Sequence, residues 1–205
     1  MTGIAIYLEG GGHLTSSKAA LRQGMNEFLG PIRDQARRRR LTWNVVPCGS
    51  REGARDAFVH AVRTEPEIFN VLLVDSEEPP QGTACEHLRA HDGWTLDSDP
   101  EALHLMVQSM ETWIVADLDA LRGYYRQGFL PNALPAHRDL ETVSKADIMR
   151  ALEHATRRTQ KGAYLKIRHA RDLLSTLDPA LVMDRCRHCR RLFEILTARI
   201  EAVEP

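Results

Sequence analysis

Cysteine is scarce in this chain: Cys48, Cys85, Cys186 and Cys189 are the four in 205 residues. At that size they do not make a disulfide framework. Long apolar runs are missing as well. None approaches the roughly 18 residues needed to span a bilayer. No basic-then-apolar segment stands at the N-terminus, so a cytoplasmic protein without a membrane partner is expected. The P-loop signature is absent, because Lys18 lacks the G-x-x-x-x-G-K context. No internal repeat or low-complexity segment is visible. What is present is 43% hydrophobic residues, enough for the core of one α/β domain with a helical appendage.

Charge is close to balanced overall, at -1, but its distribution is uneven. Residues 65–119 carry a net -12, residues 18–63 a net +6 and residues 145–199 a net +7. An acidic centre between basic flanks suits a nuclease, with carboxylates for cations and a basic wall for phosphates. The same pattern also fits a solvated surface of uneven charge.

Hydrophobic periodicity predicts strands at 3–9, 41–47 and 69–75, with helices between them. The first helix is expected from Thr15 to about Arg40, kinked or broken at Pro31. The second is expected over about 51–63. Strand–helix–strand–helix–strand order argues for a parallel, doubly wound sheet. A polar loop follows to Pro100, with a short helix around 84–91. A fourth strand is expected at about 103–108, then a helix at about 111–125. Beyond a linker marked by Pro131 and Pro135, helices are expected at 144–157, 163–176 and 179–200. The division reads as an α/β core over 1–130 and a helical region over 131–205 packed on the same domain.

Two of the strands run straight into carboxylates. Ile4–Leu8 ends at Glu9 and three glycines, and Val71–Val74 ends at Asp75-Ser76-Glu77. Ligands bind at the carboxyl ends of parallel strands. On neighbouring strands Glu9, Asp75 and Glu77 converge, and three carboxylates repel unless a cation joins them. Oxygen ligands of this kind suit Mg²⁺ or Mn²⁺. Alternate residues of an extended chain point the same way, which would aim Asp75 and Glu77 at one ion. Gly10 and Gly11 let backbone and substrate phosphate approach closely. A dinucleotide fingerprint fits poorly, since Thr15 stands where its third glycine belongs. A receiver domain would need an acidic pair after the first strand and a later strand-end lysine, and neither is evident.

Other candidates are more open. Glu111 begins a predicted helix near the same sheet edge; it is either a further ligand or favourable charge at a helix N-terminus. Lys161, Tyr164, Lys166, Arg168, His169 and Arg171 form a basic, partly aromatic stretch that either holds phosphates, with Tyr164 stacking on a base, or is a solvated helix face. Cys186-Arg187-His188-Cys189 resembles half of a zinc site whose other half is missing. His13 beside the glycines reads as a loop residue.

Five segments in order carry a resemblance: Tyr7-Leu8-Glu9-Gly10-Gly11-Gly12, Cys48-Gly49-Ser50-Arg51, Leu73-Val74-Asp75-Ser76-Glu77, Met110–Asp117 and Tyr164-Leu165-Lys166. Glu-Gly after strand one and an acidic pair after strand three resemble the TOPRIM pattern of topoisomerases, primases and OLD-type nucleases. More narrowly, the chain resembles the TOPRIM-like family filed as domain of unknown function 4276. The resemblance implies a TOPRIM-like (Rossmann-like) parallel sheet flanked by helices. It implies Glu9 as acid/base, a divalent metal (Mg or Mn) at Asp75 and Glu77, and Lys166 on phosphate. One departure is that the second acid of the pair is Glu77 rather than an aspartate.

The resulting expectation is a metal-dependent nuclease acting on DNA or RNA. Its catalytic residues would be Glu9, Asp75 and Glu77, with Glu111 as a fourth metal ligand. Gly10, Gly11, Arg51 and Lys166 would contact substrate. The resemblance adds defence against foreign nucleic acid beside a partner ATPase, and a homo-oligomer is compatible with it. The alternative is a catalytically weak or inactive adaptor subunit of an ATPase complex.

Overall fold

Strands covered on both faces read as continuous apolar runs. In the computed structural model, which describes residues 1–203, Ile4–Leu8 are all buried in strand β1 (Gly3–Gly11). β2 (Thr42–Gly49), β3 (Ile68–Asp75) and β4 (Leu103–Met106) complete a four-stranded parallel sheet of order β2-β1-β3-β4. Ile6 lies opposite Val45 on one side and Val71 on the other. The chain leaves β1 for β2 at the edge, then crosses to β3 on β1's other flank. That reversal opens a crevice at the carboxyl ends of β1 and β3.

Among the described residues ten α-helices surround the sheet. The long helix after β1, expected to kink or break at Pro31, breaks just before it into α1 (Thr15–Phe28) and α2 (Gly30–Arg38). Pro31 falls in the first turn of α2, where a missing N–H is harmless. α3 (Arg51–Thr64) starts at Ser50, whose Oγ accepts from the Gly53 N–H at 3.0 Å. α4 (Ala84–Asp92) opens with a Thr83/Glu86 capping box. The helix expected over 111–125 is also split, into α5 (Met110–Ala116) and α6 (Leu118–Tyr125). Asp117 causes the break. Its carboxylate accepts from the N–H groups of Asp119, Ala120 and Asp178, so it is a cap.

α7 (Lys145–Thr156), α8 (Lys166–Leu174), α9 (Pro179–Arg185) and α10 (Arg187–Glu201) form the C-terminal region. The last two replace the single helix expected over 179–200. α8 packs on α1, and α10 packs on α2 and β4. Phe28 sits between Trp113 and Phe193, with ring centroids 5.5 and 5.6 Å away, and so joins α1, α5 and α10 in one core.

His104 on β4 is buried inside this frame. Its Nε2 lies 2.9 Å from the Glu101 carbonyl, and its Nδ1 is 3.4 Å from the Arg191 guanidinium. Burial, reinforced by Arg191, pushes its pKa down from 6.5 to about 3. The unfolded chain therefore takes up this proton more readily than the folded one. His104's contribution to stability is complete above pH 6.5 and is lost as pH falls toward about 3. We expect stability to fall by up to about 1.4 kcal/mol per pH unit from this group within that window. Urea melts across the window should show a shallower slope for His104→Gln than for the wild type; identical slopes would refute the assignment.

Candidate metal centre

The centre begins with the bend that ends β1. Gly10, Gly11 and Gly12 all have positive φ, at 115°, 85° and 58°. They turn the chain into α1 and press it against the end of β2. A Cβ on Gly49 would stand 2.7 Å from the Gly12 carbonyl oxygen, at φ +88°, so the contact requires glycine on β2. The result is a cavity of about 220 Å³ lined by Glu9, the three glycines, Gly49 and Lys166, among others.

Asp75 ends β3 beside Glu9 and is 2% exposed. Its Oδ1 accepts from the Met110 N–H at 2.9 Å. Glu77 reaches the same place through a turn rather than along an extended strand. The strand stops at Asp75, and Glu77 has a left-handed backbone, φ +66°. Hydrogen bonds from the Ser76 N–H to Met106 O and from the Glu77 N–H to Gln108 O hold the turn, at 3.0 and 2.9 Å. A non-glycine residue in this region is strained and persists only where its surroundings fix it. Glu9, Asp75 and Glu77 each bring one carboxylate oxygen within 4.8 Å of the others.

Three cations surround this trio. Lys145 Nζ donates to Glu77 Oε1 and Oε2 at 2.6 and 2.8 Å, and to Asp75 Oδ2 at 3.4 Å. Lys166 Nζ lies 3.4 Å from Asp75 Oδ2 and 3.5 Å from Glu111 Oε2. Arg51 pairs with both oxygens of Asp92 at 2.7 and 2.8 Å, reaches Glu9 Oε2 at 3.3 Å, and donates to the Asp75 carbonyl. Burial raises the Glu9 carboxyl pKa, and the Asp75 charge adds to that more than Arg51 relieves it. Burial also raises Asp75, against the pull of Lys166. Burial alone would lower Lys166, but Asp75 and Glu111 outweigh it and hold the ammonium above the usual lysine range.

The expected residues thus sort into groups. Glu9, Asp75 and Glu77 come together, and Gly10, Gly11 and Lys166 line the adjoining cavity. Arg51, expected on phosphate, is committed to protein partners and braces Glu9. Glu111 lies outside the trio, linked to Asp75 through Lys166. It is fully buried, and its Oε2 has no hydrogen-bond partner, the Lys166 contact being a longer ion pair. Tyr164, expected to stack on a base, is 1% exposed, and its hydroxyl donates to Glu111 Oε1 at 3.1 Å. Cys186 and Cys189 are buried free thiols whose pKa values burial pushes up. Among the described residues the trio is the one cluster of His, Cys, Asp or Glu spaced to share a metal. His188 pairs with Glu141 at 2.7 Å instead.

Lys145 was missed in the sequence. Its signal is a positive charge at the first position of a helix, where the dipole disfavours it. The donor set fits a hard cation: three carboxylates, no thiolate or imidazole, and the orphaned Glu111 oxygen close behind.

Tyr164→Phe should lower stability by about 1–3 kcal/mol, because it leaves a second Glu111 oxygen unpaired in the interior. Chemical denaturation measures this; a variant as stable as the wild type would show that the hydroxyl does not support the buried carboxylate.

No curated protein and no solved structure matches the chain. A family model described as "Domain of unknown function (DUF4276)" matches residues 8–197. The matched span contains all the carboxylates, lysines and glycines of the centre, and the chain belongs to this family.

Proposed function

We propose that the protein is a metal-dependent nuclease of the TOPRIM-like type, hydrolysing phosphodiesters of DNA or RNA. The observation that carries this reading is the trio of carboxylates within 4.8 Å at the ends of adjacent parallel strands. Charge counting supports it. Five carboxylates (Glu9, Asp75, Glu77, Asp92 and Glu111) face three cations (Arg51, Lys145 and Lys166). Fully ionised, the group carries two more negative than positive charges, an excess that favours a divalent cation.

Asp75 and Glu77 would hold Mg²⁺ or Mn²⁺, with Glu111 behind them and Glu9 beside them as ligand or proton shuttle. The ion supplies Lewis-acid polarisation of a phosphoryl oxygen. Glu9 is suited to the base role by its place, beside Asp75 and Glu77 and on the wall of the cavity. Arg51 engages Oε2, leaving Oε1 to take the proton from an attacking water. The water oxygen bonds to phosphorus, the P–O ester bond breaks, and the departing oxygen takes a proton from solvent. Lys166 on the cavity wall offers an ammonium to a non-bridging phosphate oxygen. A role in defence against foreign nucleic acid, beside a partner ATPase, is part of the same proposal. The adaptor reading draws on a different observation: Lys145 and Lys166 already sit on the acids, as in a site that neutralises itself.

Asp75→Asn should abolish Mn²⁺ binding and nuclease activity while the fold survives, because the Asn oxygen still accepts from Met110. Calorimetry showing unchanged Mn²⁺ affinity would sink the metal assignment. Lys166→Ala should weaken binding to all oligonucleotides alike and reduce the salt slope by roughly one unit. Wild-type protein without salt-dependent binding, or without cleavage in Mn²⁺, would favour the adaptor.

A further inference from the structure

We propose that Lys145 is a built-in competitor for the divalent ion: its ammonium closes the Asp75–Glu77 part of the centre and must swing out when the ion enters. The inference rests on the metal reading above and assigns a gate to it. Lys145 Nζ engages both Glu77 oxygens and Asp75 Oδ2. Two of the three prospective ligands are thus occupied by one cation. An ammonium and a divalent ion compete for those lone pairs and repel each other, so both do not stay.

The backbone beneath this side chain is fixed. The Lys145 N–H donates to Gln108 Oε1 at 3.2 Å, and Gln108 Nε2 donates to the Glu141 carbonyl at 3.3 Å. Ser144 caps α7, its Oγ accepting from the Asp147 N–H at 3.1 Å. The same Gln108 supplies the carbonyl that accepts from the Glu77 N–H. One loop residue therefore sets the lysine and its carboxylate face to face. Only the four-carbon stem is free to move, and the side chain is 31% exposed, so solvent is within reach. The helix dipole at the start of α7 also opposes a cation there. The Glu77 and Asp75 charges keep the ammonium in place, and an ion that neutralises them releases it.

Lys166 is not the gate. It is braced between Asp75 and the buried Glu111, which lies outside the trio. A displaced Lys145 stays tethered at the mouth of the centre, and the anion that suits it there is a phosphate of the substrate. Substrate that holds Lys145 away then strengthens ion binding, and the ion strengthens substrate binding by the same factor.

The test is Mn²⁺ affinity by calorimetry for wild type, Lys145→Arg and Lys145→Gln, with thermal melts with and without Mn²⁺. Lys145→Gln should bind Mn²⁺ about tenfold more tightly, the scale of one lost charge-assisted contact. Its metal-free form should melt lower, and Mn²⁺ should raise its melting temperature more than that of the wild type. Lys145→Arg keeps the charge and should stay near the wild-type affinity. A purely structural lysine would lower the melting temperature without tightening Mn²⁺. Equal or weaker affinity in Lys145→Gln, with wild-type binding intact, overturns the gate and leaves the metal reading standing. If none of the three proteins binds Mn²⁺, the metal reading falls and the gate falls with it.

Discussion

The mutual repulsion of carboxylates at the ends of β1 and β3 is the constraint around which this fold is arranged. Asp75 is nearly sealed from water, and Glu9 and Glu77 stand beside it. Charges so placed persist only when paired or joined by a metal. The protein meets the demand from three directions. α3 brings Arg51, α7 brings Lys145 and α8 brings Lys166. Two of the three come from the C-terminal region, so that region completes the electrostatics of the sheet edge as well as covering the core.

Packing and charge reinforce each other here. Phe28 between Trp113 and Phe193 fixes α5 and α10 against α1. α5 in turn carries the Met110 N–H that binds Asp75, and Glu111, which Tyr164 and Lys166 both address. Tyr164 precedes α8 by two residues, so a hydroxyl–carboxylate contact helps decide where Lys166 stands. The interior that stabilises the fold also sets the direction of the acids.

What the sequence made legible follows from periodicity. Ile4–Leu8 and Val71–Val74 are too apolar for anything but buried strands, and carboxylates right after them land at a sheet edge. The strand-end acids were therefore visible in one dimension. The helix break near Pro31 was visible too, but those at Asp117 and Cys186 were not, because both residues sit in otherwise helical patterns; the Asp117 carboxylate turns out to cap the next helix. Asp75 and Glu77 do not pair along an extended strand, since Glu77 lies beyond it in a left-handed turn. Partnerships across long separations escaped as well. Nothing local tells Lys145 that its partner is 68 residues away, or Tyr164 that its hydroxyl belongs to Glu111.

Glu77 takes its meaning from this geometry. An aspartate at that place in the turn would have one fewer methylene with which to reach back toward Asp75. The longer side chain lets one residue meet Lys145 with both oxygens and still approach Glu9. In this chain the longer acid and the lysine fit each other. A carboxylate that reaches an ammonium so well has to give that partner up to serve an ion. On the proposed metal reading, ion binding at this centre would be an exchange of cations rather than the filling of an empty space, and its strength would depend on what the freed lysine meets.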